Sequence, residues 1–184
     1  MSEPQSIPPG VPQAIGHIVL NVTDVERSVQ FYRDLIGFQV SRYRPGSTTA
    51  FLTCGVVHHD LALFKAPPGA RPYEPGQVGL HHFAFQMENY AALQAAHQRL
   101  VGAGARIEGI VDFGFIRTVS VVDPDGMRIE LFVNTYATDE EGLAMMKYHE
   151  SPPGRPPTYD ILGPEPVAPP IPAHEIEAVR GGVG

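Results

Sequence analysis

The chain has little of what several protein classes need. One cysteine among 184 residues, Cys54, excludes a disulfide framework within the chain. Basic residues are also few, with 13 Lys and Arg against 20 Asp and Glu. The resulting net charge of −7 repels phosphate backbones and anionic lipid, so neither nucleic acid nor a membrane surface is an expected partner.

Long apolar runs are missing as well. No stretch approaches the roughly 20 apolar residues that cross a bilayer. The opening MSEPQSIPPGVPQAIG has neither the basic segment nor the apolar run of a signal peptide. We therefore expect a soluble protein of the cytoplasm.

Proline is scarce in the middle of the chain and abundant at both ends. Four of the 19 prolines fall within residues 4–12 and nine within 152–172. Because proline fixes its own φ and has no backbone donor, the ends are predicted to be extended arms and the regular structure to lie between about 14 and 136. The predicted limits are an N-terminal arm over 1–13, a folded domain over 14–136, and a C-terminal helix with a Pro-rich arm over 137–184.

An internal repeat dominates the folded region. GHIVLNVTDVERSVQFYRDLIGFQV and HHFAFQMENYAALQAAHQRLVGAGARI superimpose at a constant offset of 65 residues, so that His17 falls on His82. Each stretch is typical of a short apolar strand, a turn with Asp24 or Asn89 as N-cap, and a helix of about a dozen residues ended by glycine.

Three further strands complete each copy. They are FQVSRYR, TAFLTC and DLALFK in the first copy, and ARIEGIVD, RTVSVVD and MRIELFV in the second, with a D-P-D-G turn before the last. The sequence thus predicts an α+β fold of two tandem βαβββ modules, over 14–66 and 78–136.

Equivalent strands of two such modules can bring their side chains together across a shared cleft. His17 and His82 would then face each other, and the last strands, at an offset of 68, would add Ala62 and Glu130. Two imidazoles and one carboxylate form a set that suits Fe(II), with Mn(II) or another divalent ion as the alternative. The simpler alternative is that the histidines are ordinary core or surface residues and that Glu130 faces solvent.

The motifs GHIVLNVTDVERSVQFYRDLIGF, LHHFAF and DPDGMRIELF resemble the vicinal oxygen chelate superfamily of glyoxalases, fosfomycin-resistance transferases, bleomycin-binding proteins and extradiol dioxygenases. The resemblance implies a vicinal oxygen chelate fold with His17, His82 and Glu130 as metal ligands. His81 is not expected to be a ligand, because adjacent strand residues face opposite sides. Ala62 replaces the fourth ligand that glyoxalase I requires.

Within the superfamily, FLTCGVVHHDLALF is most similar to the small extradiol ring-cleaving dioxygenases. That resemblance implies that His59 is the acid/base residue beside the iron. A polar loop is the alternative for the His58–His59 pair. Ser120 stands where those enzymes carry a tyrosine, and we expect its hydroxyl to reach substrate through water. Phe113 stands where they carry a histidine, which together with Phe115 implies a more apolar pocket.

Three functions remain open at this point. The first is an Fe(II)-dependent dioxygenase that opens the ring of a catecholic aromatic with O2. The second is a non-redox isomerase, lyase or transferase that uses Mn, Zn or Ni as a Lewis acid. The third is a metal-free small-molecule binder. The resemblance also implies a homo-oligomer, a dimer or larger.

The C-terminal arm has enough apolar side chains to lie against the body of the protein or a neighbouring subunit. It could also carry Tyr148, His149, Tyr159 or His174 to a cleft, although a surface arm without chemistry is the favoured interpretation.

Overall fold

The computed structural model describes residues 10–12, 14–149 and 158–181. Most of the predicted N-terminal arm and part of the Pro-rich arm lie outside these residues. The chain divides into two compact units, Met1–Arg71 and Pro72–Gly184, which we call unit 1 and unit 2. None of the helices among the described residues is long and apolar enough to span a membrane.

Each unit contains one four-stranded sheet with one parallel and two antiparallel pairings, and the predicted pair of βαβββ modules is confirmed. The order is β1-β4-β3-β2 in unit 1 and β5-β8-β7-β6 in unit 2. The strands are β1 Ile18–Val22, β2 Gln39–Arg42, β3 Thr49–Thr53, β4 Leu61–Lys65, β5 Phe83–Gln86, β6 Ile107–Asp112, β7 Ile116–Val122 and β8 Arg128–Asn134. The helices are α1 Val25–Gln30, α2 Tyr90–Gly102, α3 Asp139–Tyr148 and α4 Ala173–Gly181.

The register of the sheets preserves the repeat seen in the sequence. Val19 pairs with Ala62 in unit 1, and Ala84 pairs with Glu130 in unit 2. Ala62 and Glu130 therefore hold equivalent places in the two sheets, as the two offsets predict.

The helix starts follow the predicted caps. The Asp24 side chain accepts a hydrogen bond from the Arg27 N–H at 3.0 Å, and Asn89 accepts one from the Ala92 N–H at 2.9 Å. These bonds satisfy backbone donors that have no partner inside the first turn.

Each predicted helix ends at or next to a glycine, as expected, but the details differ between the two modules. After Gln30 the first helix widens into a π-helical segment, Phe31–Ile36, which ends at Gly37 with φ of 106°. In the second module α2 includes Gly102, and the left-handed residue that follows is Gly104, with φ of 67°. The apolar spacing predicted that these residues are buried but could not distinguish an α-helix from a π-helix.

Each unit has its own core between its helix and one face of its sheet. In unit 2, Leu93 and Leu100 of α2 pack with Ile129 and Leu131 of β8, and all four side chains are fully buried. In unit 1 the fully buried side chains include Tyr32, Leu52, Leu61 and Leu63.

The C-terminal arm is packed against unit 2 and contains an unpredicted helix. Ile161 is buried, and Gln94 donates to the carbonyls of Ile161 and Gly163 at 2.8 and 2.9 Å. Pro172 immediately precedes α4, and its carbonyl accepts from the Glu175 N–H at 3.0 Å. The short helix expected over 138–150 is present as α3, whereas α4 was not expected in the Pro-rich arm.

Candidate metal and substrate site

In unit 2, His82 and Glu130 lie side by side. His82 immediately precedes β5, Glu130 lies in the middle of β8, and the parallel pairing of these strands brings the two side chains together. The distance from His82 Nε2 to Glu130 Oε2 is 3.6 Å. The Glu130 side chain is only 11% exposed, so the carboxylate is largely removed from water.

Ser120 lies on the other side of the carboxylate. It pairs with Glu130 across β7 and β8, and its Oγ donates to Glu130 Oε1 at 3.2 Å. Ser120 is buried and does not line the neighbouring cavity. The hydroxyl is bonded to Glu130, and its expected contact with substrate through water stays a prediction.

The two adjacent histidines line different cavities. His82 lines the larger cavity of unit 2, whereas His81 lines a small one with Tyr73, Arg106 and Arg128. The Nδ1 atoms of His81 and His82 are 2.7 Å apart, so the two rings contact each other along one edge. Each ring also lines a different cavity. This arrangement agrees with the alternation of neighbouring side chains along an extended chain.

The cavity beside His82 and Glu130 has a volume of about 410 Å³. That volume falls within the range of about 300–1,000 Å³ typical of small-molecule sites. Most of its lining is apolar or aromatic, and no Lys or Arg occurs among the described residues that line it. The lining residues are His82, Ala84, Phe115, Ile116, Glu130, Phe132, Asn134, Tyr136, Thr138, Asp139, Gly142, Leu143 and Met146.

Phe113 and Phe115 were both expected to line the pocket, but only Phe115 lines this cavity. Their ring centroids are 6.4 Å apart, so Phe113 lies next to Phe115 rather than in the wall itself. The apolar character expected here is supplied by Phe115 and Phe132 and by side chains of α3.

In unit 1, His17 lies beside His59. Their ring centroids are 4.7 Å apart, and His59 also contacts Phe51 edge-on at 5.3 Å. Nδ1 of His59 lies against Nδ1 of His58. Partial burial lowers the pKa of His59 below its usual value, and the neighbouring His58 and His17 lower it further. His59 is therefore neutral at neutral pH and able to accept a proton.

The structure thus places the predicted residues in two groups, His17 with His59 and His82 with Glu130 and Ser120. The described residues contain no group of three or more His, Cys, Asp or Glu side chains close enough to hold a metal ion.

Four residues of the C-terminal region were considered as possible contributors to the cleft, and none of them reaches this cavity. Nε2 of His149 lies 2.8 Å from Glu175, Tyr159 packs on Tyr90 with its ring centroid 6.3 Å away, and Tyr148 and His174 are exposed. None of the four lines the cavity.

Sequence reasoning missed the contribution of α3 to the cavity. The apolar residues Leu143 and Met146 stand three apart on a helix whose other side is buried at Ala144. That spacing of two apolar residues on the helix after the repeat is the sequence feature that could have indicated a role for α3 in the cavity.

The fold and this site define a protein of two βαβββ modules with a histidine and a carboxylate beside an apolar cavity. The family model of the "Glyoxalase/Bleomycin resistance protein/Dioxygenase superfamily" matches residues 14–131. The chain belongs to this superfamily, which is the vicinal oxygen chelate superfamily.

Individual relatives have different activities. The chain is 32% identical to biphenyl-2,3-diol 1,2-dioxygenase 3 of Rhodococcus globerulus, over 82% of this chain and 75% of that protein. It is also 34% identical to glutathione transferase FosA of Serratia marcescens, over 68% of this chain and 84% of that protein. Among solved structures, a glyoxalase/dioxygenase from Nostoc punctiforme superimposes with a TM-score of 0.59 at 23% identity, covering 72% of this chain and 99% of that one, which supports the fold.

Proposed function

We propose that this chain is an Fe(II)-dependent extradiol-type dioxygenase that opens the ring of a catecholic aromatic. The observation that carries the proposal is the apolar cavity of about 410 Å³ directly beside His82 and Glu130. An aromatic ring fits apolar walls, and its two hydroxyls would lie at the polar end near the imidazole and the carboxylate. The relation to a biphenyl-2,3-diol dioxygenase supports the same class of substrate.

The donor set fits a ferrous ion. An imidazole nitrogen and a carboxylate oxygen already lie 3.6 Å apart at His82 and Glu130, and His17 holds the position in unit 1 that His82 holds in unit 2. Two histidines and one carboxylate are the ligands typical of non-haem Fe(II) oxygenases. When held by these residues, the ion would supply Lewis-acid and redox chemistry next to the diol.

Ser120 is assigned a positioning role. Its hydroxyl donates a hydrogen bond to Oε1 of Glu130. This bond would hold the carboxylate with Oε2 on the side of His82. Hydrogen bonds of this kind to a ligating carboxylate hold its orientation and commonly strengthen metal binding.

His59 is assigned the proton transfer. Because Nδ1 lies against His58, Nε2 is the atom that would take the proton from a substrate hydroxyl and return it later. The lowered pKa of His59 keeps the ring neutral and ready to accept that proton at neutral pH.

A metalloenzyme that uses its metal only as a Lewis acid is the second candidate, and the relation to a glutathione transferase supports it. The cavity argues against that candidate, because a site for phosphonate and thiolate anions is expected to offer cations. No Lys or Arg of the described residues lines the cavity.

Anaerobic reconstitution with Fe(II), followed by an oxygen electrode and a panel of catechols, tests the proposal. We expect one O2 consumed per diol, with a yellow ring-fission product. No uptake with any diol by protein that has bound iron would refute ring cleavage. Turnover with Mn or Zn in the absence of O2 would support the second candidate. Protein that binds the diols but no metal would support the metal-free binder.

A further inference from the structure

The wall of the cavity beside His82 and Glu130 includes residues beyond the end of the family match. The family match ends at residue 131, yet α3 and its N-cap contribute Thr138, Asp139, Gly142, Leu143 and Met146 to the cavity wall. The helix therefore lies outside the two modules and completes the proposed substrate site.

One face of α3 is directed at the cavity. Asp139, Gly142, Leu143 and Met146 follow the spacing of residues that share a helix face. Leu143 and Met146 are 39% and 58% exposed, so their apolar side chains are available to a ligand. On the other side of the helix Ala144 is fully buried.

The helix is anchored, so its cavity face is a fixed wall. A capping box between Thr138 and Glu141 defines its start. At its end, His149 Nε2 lies 2.8 Å from Glu175 Oε2 of α4. Near its middle, Met145 packs so closely on Gly114 that a Cβ there would lie 2.6 Å from the methionine methyl group.

Gly142 is unusual because it lies inside a ten-residue helix. Glycine weakens a helix interior, since it loses more backbone freedom than any other residue. A Cβ at Gly142 would meet no atom within 4 Å, so packing does not require glycine there. The missing side chain instead leaves open space in the cavity wall.

We propose that α3 selects the substrate: an apolar ring or chain next to the diol packs against Leu143 and Met146 and enters the space at Gly142. This inference rests on the proposed function and narrows it, because it makes an aryl-substituted catechol a better substrate than catechol itself. The apolar substituent of the ligand would contact α3, and its two hydroxyls would lie next to His82 and Glu130.

The test compares Gly142→Leu with Lys147→Leu. Both variants add a leucine to α3, but Lys147 is exposed and does not line the cavity. Binding of biphenyl-2,3-diol and of catechol is measured by calorimetry without O2, with metal-free and with Fe(II)-loaded protein, and kcat/KM is measured with O2. A thermal melt checks folding, and we expect Gly142→Leu to melt at or above the wild-type temperature because leucine favours the helix.

We expect the wild type to prefer biphenyl-2,3-diol over catechol at least tenfold, and Gly142→Leu to lose at least tenfold of that preference while Lys147→Leu retains it. Equal preferences in the two variants would overturn the proposal. A change of subunit number with Gly142→Leu, measured by light scattering, would also overturn it, because a second copy would then cover this face. A preference that depends on Gly142 in binding, without any O2 uptake, would leave the role of α3 standing and refute the dioxygenase alone.

Discussion

Ser120 donates a hydrogen bond from its Oγ to Oε1 of Glu130, 3.2 Å away, between two neighbouring buried strands. The bond leaves Oε2 on the side of His82. A serine on β7 therefore fixes which oxygen of Glu130 is presented to the cavity.

Replacement of this hydroxyl tests its positioning role. We expect Ser120→Ala to weaken Fe(II) or Co(II) binding about 10–100-fold, the usual effect of losing a hydrogen bond to a metal ligand. Ser120→Thr should restore most of the affinity. Competition with a coloured chelator measures it without any turnover.

Thr118→Val is the matched control for that experiment. Thr118 is also buried on β7, but its hydroxyl contacts the Val111 carbonyl at 3.5 Å rather than Glu130. Metal affinity should not change in this variant. Equal losses in Ser120→Ala and Thr118→Val would show that the effect comes from packing in the strand.

The two histidines that precede β4 should differ in importance. His59→Ala is expected to lower kcat by about 10²–10⁴, since a proton transfer in the transition state contributes that much. Metal content should be unchanged, because His59 is not an assigned ligand. His58→Ala is the control with the smaller expected effect, and full turnover of an identified diol by His59→Ala would contradict the acid/base role.

Cys54 provides a pH-dependent prediction in unit 1. Partial desolvation of the Cys54 thiol, although the residue is exposed, and then the negative charge of Asp60 raise the pKa of Cys54 to about 11. Since the thiolate is the reactive form, alkylation by iodoacetamide should be slow at pH 8 and should accelerate as the pH rises toward 11. Mass spectrometry of quenched samples gives the rates.

Asp60→Asn is expected to increase the rate at pH 8, because it removes the charge that disfavours the Cys54 thiolate. An alkylation profile that levels off near the ordinary thiol pKa of about 8.5 would contradict the account.

Arg117 links the C-terminal arm to the sheet of unit 2. Its side chain is 2% exposed and pairs with Asp112 at 3.0 Å and with Glu165 of the arm at 3.2 Å. We expect Arg117→Ala to lower the free energy of unfolding by about 3 kcal/mol, because it leaves the carboxylate of Asp112 without its partner. Urea denaturation followed by circular dichroism measures the change.

Glu165→Gln should cost less than about 1 kcal/mol, since the Glu165 side chain is half exposed and its ion pair is screened by water. If Glu165→Gln and Arg117→Ala lowered the free energy of unfolding equally, most of the contribution of Arg117 to stability would come from its ion pair with Glu165 and not from its buried pair with Asp112.

Much of the fold could be predicted because the chain repeats itself. The shared offset identified the caps Asp24 and Asn89, and the offset of the last strands placed Ala62 and Glu130 at equivalent points of two sheets. Such features depend on local hydrogen bonds and strand alternation, which the sequence expresses directly.

What could not be predicted depends on tertiary contacts. The bond from Ser120 to Glu130 follows from the register of β7 against β8, which a pattern of apolar residues does not determine. The wall formed by α3 lies outside the repeat and has no counterpart in the first module. The burial of Arg117 requires partners five and 48 positions away in sequence.

The proposed dioxygenase requires that His17, His82 and Glu130 bind one ferrous ion. The decisive experiment is a crystal structure of the full chain grown anaerobically with Fe(II), with anomalous data collected at the iron edge. We expect a single strong anomalous peak bonded to Nε2 of both histidines and to a Glu130 carboxylate oxygen. An iron peak held by other residues, or no peak near Glu130 at saturating Fe(II), would refute the proposed ligand set.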